Sequence, residues 1–266
     1  VYVAGVEHNG TNYVAKIWKN GVATSLTNGS NEANAFSVFV SGTDVYVAGE
    51  EVNGTYYAPK LWKNGVGNFL TNNSCGSGSN AVFVSGSDVY VGGHDAGCGS
   101  NLRGATIWKN GTATYLSPTL NSADVQSLFV SGNDVYAAGW EEMSGSNNVV
   151  AQVWKNGVVT NLNGATSNAY VYSVYVSGAD VYVAGEESNG TNYIAKMWKN
   201  GVATSLTDGT NEAYANSIFI YGNDVYVSGD ELNSAGNFVG KIWKNGVVTS
   251  LTDGVNDAGA YSIFVK

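Results

Sequence analysis

The sequence contains few charged residues, which make up 12% of its 266 positions, and few of the helix formers Lys, Glu, Leu and Gln. Gly and Tyr are abundant instead, with 35 and 17 copies. This composition disfavours helices and favours many short strands joined by tight turns. Basic residues are the scarcer charge class, and the net charge of −9 repels phosphate groups. Nucleic acid and anionic membrane surfaces are therefore not expected as partners.

Long apolar runs and catalytic motifs are lacking as well. No run approaches the roughly 20 apolar residues that span a bilayer, so membrane insertion is not expected. The chain has two histidines, His8 and His94, and no nucleophile elbow, phosphate-binding loop or His-rich metal motif. We therefore expect a protein that is not an enzyme. Adjacent carboxylates such as Glu50 and Glu51 leave a metal-dependent hydrolase as a minor alternative, although hydrolysis of a glycoside needs carboxylates that face each other across a cleft.

A unit of 44 to 46 residues recurs through the whole chain. The motif Trp-Lys-Asn-Gly begins at Trp18, Trp62, Trp108, Trp154, Trp198 and Trp243. The motif Asp-Val-Tyr begins at Asp44, Asp88, Asp134, Asp180 and Asp224, and Val1-Tyr2 is what remains of a sixth copy. Each unit holds four strand-like runs, named here A, B, C and D, which residues 217–220, 225–227, 241–243 and 248–251 exemplify.

The links between these runs are short. An Asn-Gly pair joins C to D in every copy, which fits the two positive φ angles of a type I′ hairpin turn. Ser-Gly-x-Asp joins A to B in four copies. A four-stranded antiparallel meander repeated at about 40 to 50 residues is typical of propeller blades. The sequence therefore predicts an all-β, six-bladed β-propeller with four antiparallel strands per blade.

The two ends of the chain complete each other in this scheme. Residues 261–266 form a strand A with no B behind it, whereas Val1 lies in a strand B, without a preceding Met or signal peptide. This start indicates a processed product or an excised domain. We expect 261–266 to pair with 1–28 and close the ring, which leaves no exposed sheet edge. The other blades are expected at about 36–72, 80–117, 125–162, 171–207 and 216–252, within a single domain, 1–266.

The Val-Tyr-Val-Ala-Gly strand resembles the second strand of NHL-type propeller repeats. The whole unit, with Val-Tyr-Val-Ala-Gly-x-Glu and Trp-Lys-Asn-Gly, is similar to repeats of uncharacterised secreted bacterial proteins. The resemblance covers the entire chain and implies an architecture with strand A innermost, but it implies no activity. The short A–B and C–D turns then lie on one face, and the longer B–C and D–A loops lie on the other, the loop face.

The loop face is expected to be acidic, because 16 of the 21 acidic residues map to it. The second residue after the strand-B glycine is acidic in every copy: Glu7, Glu51, Asp95, Glu141, Glu187 and Glu231. A ring of carboxylates could bind cations, yet its presence in every copy favours a structural role, for example accepting backbone N–H bonds from the neighbouring D–A loop. Oxygen-rich D–A loops at 28–32, 208–212 and 253–257 leave calcium as a minor alternative; no other cofactor is expected.

Positions that break the repeat are the candidates for a specific site. In the third and fourth blades they are His94, Arg103 and Trp140, and the adjacent Asp95 and Glu141 are candidates with them. At the entrance to strand A the copies carry Phe36, Asn80, Gln126, Tyr172, Asn216 and Tyr261. Aromatic rings beside amides and carboxylates suit a neutral sugar, whose CH groups stack on the rings while its hydroxyls find polar partners. Packing of the aromatic rings and drift among repeats are the alternative explanation.

Cys75 and Cys98, in a D–A loop and the following B–C loop, are the only cysteines. A disulfide between them would indicate an oxidising compartment, and two free thiols are the alternative. Zinc is not expected, because only His94 stands near them and a closed zinc site needs four ligands.

These observations favour a monomeric, secreted or cell-surface propeller that is not an enzyme and binds a glycan or a protein through its loop face. The alternative is an inert structural module of a larger surface protein or an engineered repeat scaffold.

Overall fold

The computed structural model describes residues 1–71, 75–96, 103–117, 121–146 and 148–266. These residues form 23 strands and no helix, so none of them forms an apolar helix that could cross a membrane. The chain divides into two compact units, Val1–Val130 and Ser131–Lys266. The prediction of a single domain over 1–266 stays a prediction.

The first eleven strands form three consecutive sheets. β1 (Tyr2–His8), β2 (Tyr13–Lys19) and β3 (Val22–Ser25) form a three-stranded sheet. β4 (Ala33–Ser41), β5 (Asp44–Asn53), β6 (Tyr56–Lys63) and β7 (Val66–Phe69) form the next. β8 (Gly78–Ser85), β9 (Asp88–Ala96), β10 (Arg103–Lys109) and β11 (Thr112–Tyr115) form the third.

Three further sheets have four strands each. β12 (Ala123–Ser131), β13 (Asp134–Glu142), β14 (Val149–Lys155) and β15 (Val158–Asn161) form one. β16 (Ala169–Ser177), β17 (Asp180–Ser188), β18 (Tyr193–Lys199) and β19 (Val202–Ser205) form the next. β20 (Ala213–Tyr221), β21 (Asp224–Leu232), β22 (Phe238–Lys244) and β23 (Val247–Ser250) form the last. The prediction of antiparallel four-stranded sheets is confirmed for these and for the second and third sheets.

The Asn-Gly turns have the predicted conformation. In every copy the Asn has φ between 50° and 52° and the Gly has φ between 80° and 84°. Pairing of Lys199 with Val202 leaves only Asn200 and Gly201 in the loop, as a two-residue hairpin requires. The Asn200 side chain also joins strands B and C, because its Oδ1 accepts from the Val181 N–H and its Nδ2 donates to Asp180.

The core is built around the strand-C tryptophans. Trp62, Trp108, Trp154, Trp198 and Trp243 are at most 1% exposed, and the Trp198 indole N–H donates to the Leu162 carbonyl at 3.0 Å. Trp18, their counterpart in the three-stranded sheet, is only half-buried.

The chain end differs from the expectation. Residues 257–266 carry no assigned strand, although a strand A was expected at 261–266. Tyr261 and Phe264 are mostly exposed, and the Phe264 ring lies 5.1 Å from the ring of Phe219 in β20. Closure of a ring by this segment therefore stays a prediction.

Candidate functional site

The entrance residues of strand A lie on β-bulges. The register of strands A and B shifts at Phe36, Asn80, Tyr172 and Asn216, so each of these residues is extra on its strand. A bulge re-aims the side chain of its extra residue. Each of these strands begins before its bulge, whereas the sequence predicted a start at about the bulge itself.

The bulge requires the strand-B glycine. A Cβ on Gly185 would lie 2.0 Å from the Tyr170 carbonyl oxygen, and one on Gly49 would lie 2.0 Å from the Asn34 carbonyl oxygen. No side chain fits such a gap, so glycine is needed for the backbone to approach. The residue directly after this glycine then lies beside the bulge. That row of residues, named here the variable position, consists of Val6, Glu50, His94, Trp140, Glu186 and Asp230.

In the first unit the variable position forms a buried polar cluster. His94 is 9% exposed and its Nδ1 lies 3.0 Å from Oδ2 of Asp124, which is 6% exposed. Asn80, on its bulge, donates to the other Asp124 oxygen at 2.9 Å. The contact between His94 and Asp124 fixes the orientation of the imidazole ring.

Glu50 adjoins this cluster across Gly78. A Cβ on Gly78 would lie 2.8 Å from Glu50 Oε2 and 3.1 Å from Cε1 of His94, so the glycine leaves the carboxylate and the imidazole facing a common space. Burial raises the pKa of Glu50, while the Asn34 hydrogen bond and the charges of His94 and Arg103 oppose this rise.

In the second unit the variable position holds a buried carboxyl group, Glu186, which is 3% exposed. The Tyr172 hydroxyl, on its bulge, donates to Glu186 Oε1 at 2.9 Å, whereas Oε2 has no hydrogen-bond partner among the described residues. Burial raises the pKa of Glu186 to about 8, against the Tyr172 hydrogen bond and with the help of the Glu212 and Asp230 charges. At neutral pH this group is therefore mostly a neutral acid that can donate a proton.

Asp230, also at the variable position, likewise accepts a hydrogen bond from a bulge residue. Asn216, on its bulge, donates to Asp230 Oδ2 at 3.0 Å, and burial raises the Asp230 pKa. The carboxylate lines a cavity of about 360 Å³ together with Tyr214, Phe238, Asp257 and Tyr261. Gly259 keeps this cavity open, because a Cβ there would lie 2.9 Å from Asp230 Oδ2.

A row of aromatic rings runs along the second unit beside these carboxyls. The rings are Trp140, Tyr170, Tyr193, Tyr214 and Phe238, all half-buried, with successive centroids 6.0, 6.0, 6.4 and 5.7 Å apart. We call it the aromatic row. Sequence reasoning singled out Trp140 and missed the other members, although their aromatic character at the second residue of strands A and the first residue of strands C was visible.

The constant acidic position lies next to the variable one and has different contacts. In four copies the carboxylate pairs with a strand-C lysine: Glu7 with Lys16, Glu51 with Lys60, Glu187 with Lys196 and Glu231 with Lys241. Asp95 accepts hydrogen bonds from Ser77 and Tyr115, and Glu141 accepts one from Gln152. Lysine, hydroxyl and amide side chains are thus partners of this position, and hydrogen bonds from loop backbone N–H groups stay a prediction.

The remaining predicted residues are dispersed. His94, Arg103, Phe36 and Gln126 lie in the first unit, with Phe36 and Arg103 exposed; Trp140, Tyr172 and Tyr261 lie in the second. Cys75 is disulfide-bonded, and Cys98 lies outside the described residues. No group of three or more His, Cys, Asp or Glu in the described part of the chain could hold a metal ion.

Comparison with known proteins establishes the fold. No family model and no curated protein matches the chain. Among solved structures it is similar to the β-propeller domain of the Trilobed protease from Pyrococcus furiosus, whose topology is described as open velcro, with TM-score 0.60 and 11% identity over 96% of this chain and 79% of that one. The chain therefore has a multi-sheet all-β fold of the propeller type.

Two whole peptidases also match. Pyrococcus horikoshii acylaminoacyl peptidase gives TM-score 0.58 and 13% identity over 95% of this chain and 43% of that one. A puromycin-hydrolyzing peptidase from Mycobacterium tuberculosis gives TM-score 0.59 and 11% identity over 92% of this chain and 44% of that one. The chain thus spans less than half the length of these two proteins.

These neighbours overturn the expected function. The sequence favoured a non-enzymatic glycan- or protein-binding scaffold, with an inert module as the alternative, whereas the similar structures belong to peptidases. The expectation was wrong because it rested on the lack of catalytic motifs within the repeats, and a repeated fold carries no statement about the reaction in which it takes part.

Proposed function

We propose that this chain is a peptidase-associated propeller domain, which receives peptide substrates and presents them to a hydrolytic domain outside these 266 residues. The observation that carries this proposal is the fold likeness over 92–96% of the chain to structures of three peptidases. Its coverage of less than half of two of them is consistent with a further domain that does the hydrolysis.

The second unit offers groups that suit a peptide backbone. Half-buried carboxylates such as Glu212 can accept hydrogen bonds from peptide N–H groups. Half-buried aromatic rings supply apolar area for side chains. In this proposal the chain binds and orients the substrate, and the bond cleavage takes place elsewhere.

The experiment uses the complete protein that contains this chain. We expect it to hydrolyse members of a quenched fluorescent peptide library, and we expect deletion of residues 1–266 to change the preferred peptide length or sequence at least tenfold in kcat/KM. The substitution Tyr221→Leu, at an exposed A–B turn, serves as the control and should change neither. A complete protein that cleaves no peptide would refute the proposal.

The compartment is proposed to be an oxidising one, with the protein secreted or at the cell surface. The disulfide at Cys75 supports this, because such bonds persist outside the reducing cytosol.

We further propose, from the NHL-like repeat pattern, that residues 261–266 supply a fourth strand to the sheet β1–β3 and close a six-bladed ring. The support is a position-by-position comparison: Val3 is 51% exposed, whereas its counterparts Val47 and Val183 are 2% and 1% exposed. An apolar residue at this position needs cover. Slow amide hydrogen exchange across 261–266 is the expected result, and free exchange would indicate an open ring instead.

A further inference from the structure

The aromatic row of the second unit has the spacing of an extended peptide. Its successive rings are 5.7 to 6.4 Å apart. Two residues of an extended strand advance about 6.7 Å, and alternate side chains point to the same side. Each ring can therefore meet one alternate side chain of a peptide that lies along the row.

Within the described ranges of the chain, three carboxylates beside these rings have no ion-pair partner. Glu142 acts electrostatically on Tyr170, Glu212 accepts from the Tyr214 hydroxyl at 3.0 Å, and Asp257 accepts from the Phe238 N–H at 2.8 Å. Lys196 and Lys241, from the same strands as the rings, pair with Glu187 and Glu231 instead. No ion pair among the described residues involves Glu142, Glu212 or Asp257.

The local potential is correspondingly negative. Burial and neighbouring carboxylates raise the pKa of both Tyr170 and Tyr214. At the Phe238 end the row borders the cavity of about 360 Å³ that Asp230 and Asp257 line, which has room for one long side chain.

We propose that the aromatic row binds an extended peptide segment whose alternate residues are Lys or Arg. Each cationic head would lie over a ring face, where the quadrupole attracts it, with a carboxylate alongside. The aliphatic stems of the same side chains would pack on the ring edges. This deepens the proposed function, on which it rests for the role of the peptide as substrate, by naming a basic substrate class.

Binding to the 266-residue chain tests the proposal without any hydrolysis. The probe is the hexapeptide Lys-Thr-Lys-Thr-Lys-Thr, acetylated at its N-terminus and amidated at its C-terminus, titrated calorimetrically at low salt. The same peptide with acetyl-lysine, and the isomer Lys-Lys-Lys-Thr-Thr-Thr, should bind at least roughly tenfold more weakly. Equal binding of the acetyl-lysine peptide, or tighter binding of an unacetylated hexathreonine through its terminal amine, would overturn the assignment.

Variants locate the site. Tyr193→Leu keeps much of the apolar volume but removes a ring face, and Glu212→Gln removes a charge; we expect losses of roughly tenfold and several-fold in affinity. Tyr221→Leu and Asp224→Asn make the same chemical changes at the A–B turn of the same unit and should stay within about twofold. Phe238→Leu replaces Tyr193→Leu if that variant unfolds. Folded ring variants that bind as tightly as the controls contradict the proposal.

The two proposals fail separately. A chain that binds the basic peptide, in a complete protein that cleaves no peptide, refutes the peptidase role and leaves the binding site standing. A complete protein that cleaves peptides without any preference for basic residues supports the peptidase role and refutes the binding site for basic peptides.

Discussion

The two residues that follow the strand-B glycine have different contacts, although they are adjacent in the chain. The constant acidic position pairs with a lysine, a hydroxyl or an amide of its own repeat unit, and its role is the same in each copy. The variable position changes from copy to copy, and His94, Glu186 and Asp230 there contact a bulge residue of strand A or a neighbouring carboxylate. Constant positions thus hold each sheet together, whereas the variable position carries what distinguishes one repeat from the next.

The largest expected effect is at a constant position, the strand-C tryptophan. Replacing Trp198 by Ala removes a fully buried ring and leaves a cavity, so we expect a loss of about 4 kcal/mol in the free energy of unfolding, measured by urea denaturation. Trp18→Ala is the matched control and should cost clearly less, because that ring is half-buried. Equal losses would show that further chain covers the sheet β1–β3 in solution.

The next effect, at the variable position, depends on pH. Folding raises the pKa of Glu186 from 4.5 to about 8, so the folded state binds the proton more tightly than the unfolded state. Below about pH 4.5 the free energy of unfolding therefore does not change with pH on account of this group. It falls as the pH rises from there to about 8, by an amount on the order of a few kcal/mol.

Glu186→Gln removes this titration while keeping an acceptor for Tyr172. We expect the unfolding free energy of this variant to change much less between pH 5 and 8 than that of the wild type. Urea denaturation at pH values about one unit apart measures this slope. Glu187→Gln, one residue along the chain, is the control and should retain the slope. A wild-type protein with no such slope would contradict the buried neutral acid.

A smaller effect is expected for the ion pair of the constant acidic position. Glu187 and Lys196 are both largely buried, so a double-mutant cycle with Glu187→Gln and Lys196→Met should give a coupling of about 1 kcal/mol. The exposed pair Asp180 and Lys199 should give less in the same cycle, because solvent screens it. A larger coupling at the exposed pair would reverse the comparison.

The repeat made much of the fold predictable. Turn geometry follows from local chemistry, so Asn-Gly at 200–201 specifies its hairpin without knowledge of the rest of the chain. The tryptophans were identified as the main core residues for the same reason, since burial recurs with the period of the repeat. The likeness to peptidase structures was not predictable in this way, because it is visible only in three dimensions at 11–13% identity.

The site could be predicted only in part. Tyr172 and Trp140 were visible as departures from the repeat, but the bulge that turns Tyr172 toward Glu186 appears only in the strand register. The lysine partners of the acidic position were also missed, although they lie nine or ten residues along the chain in four copies. A strand pair brings such residues together only once its register is known, and composition does not fix that register.

The smallest effect is expected at the Asn-Gly turn. Asn200→Gly accommodates the positive φ of 52° without strain but removes two side-chain hydrogen bonds, to Val181 and Asp180. We expect a net loss below about 1 kcal/mol in urea denaturation, because both bonds lie at an exposed turn. Asn200→Ala loses the same bonds and adds the left-handed strain of a Cβ, so it should cost about 1 kcal/mol more. Equal stability of the two variants would mean that the turn relaxes, and that this constant position is held by its hydrogen bonds rather than by its backbone conformation.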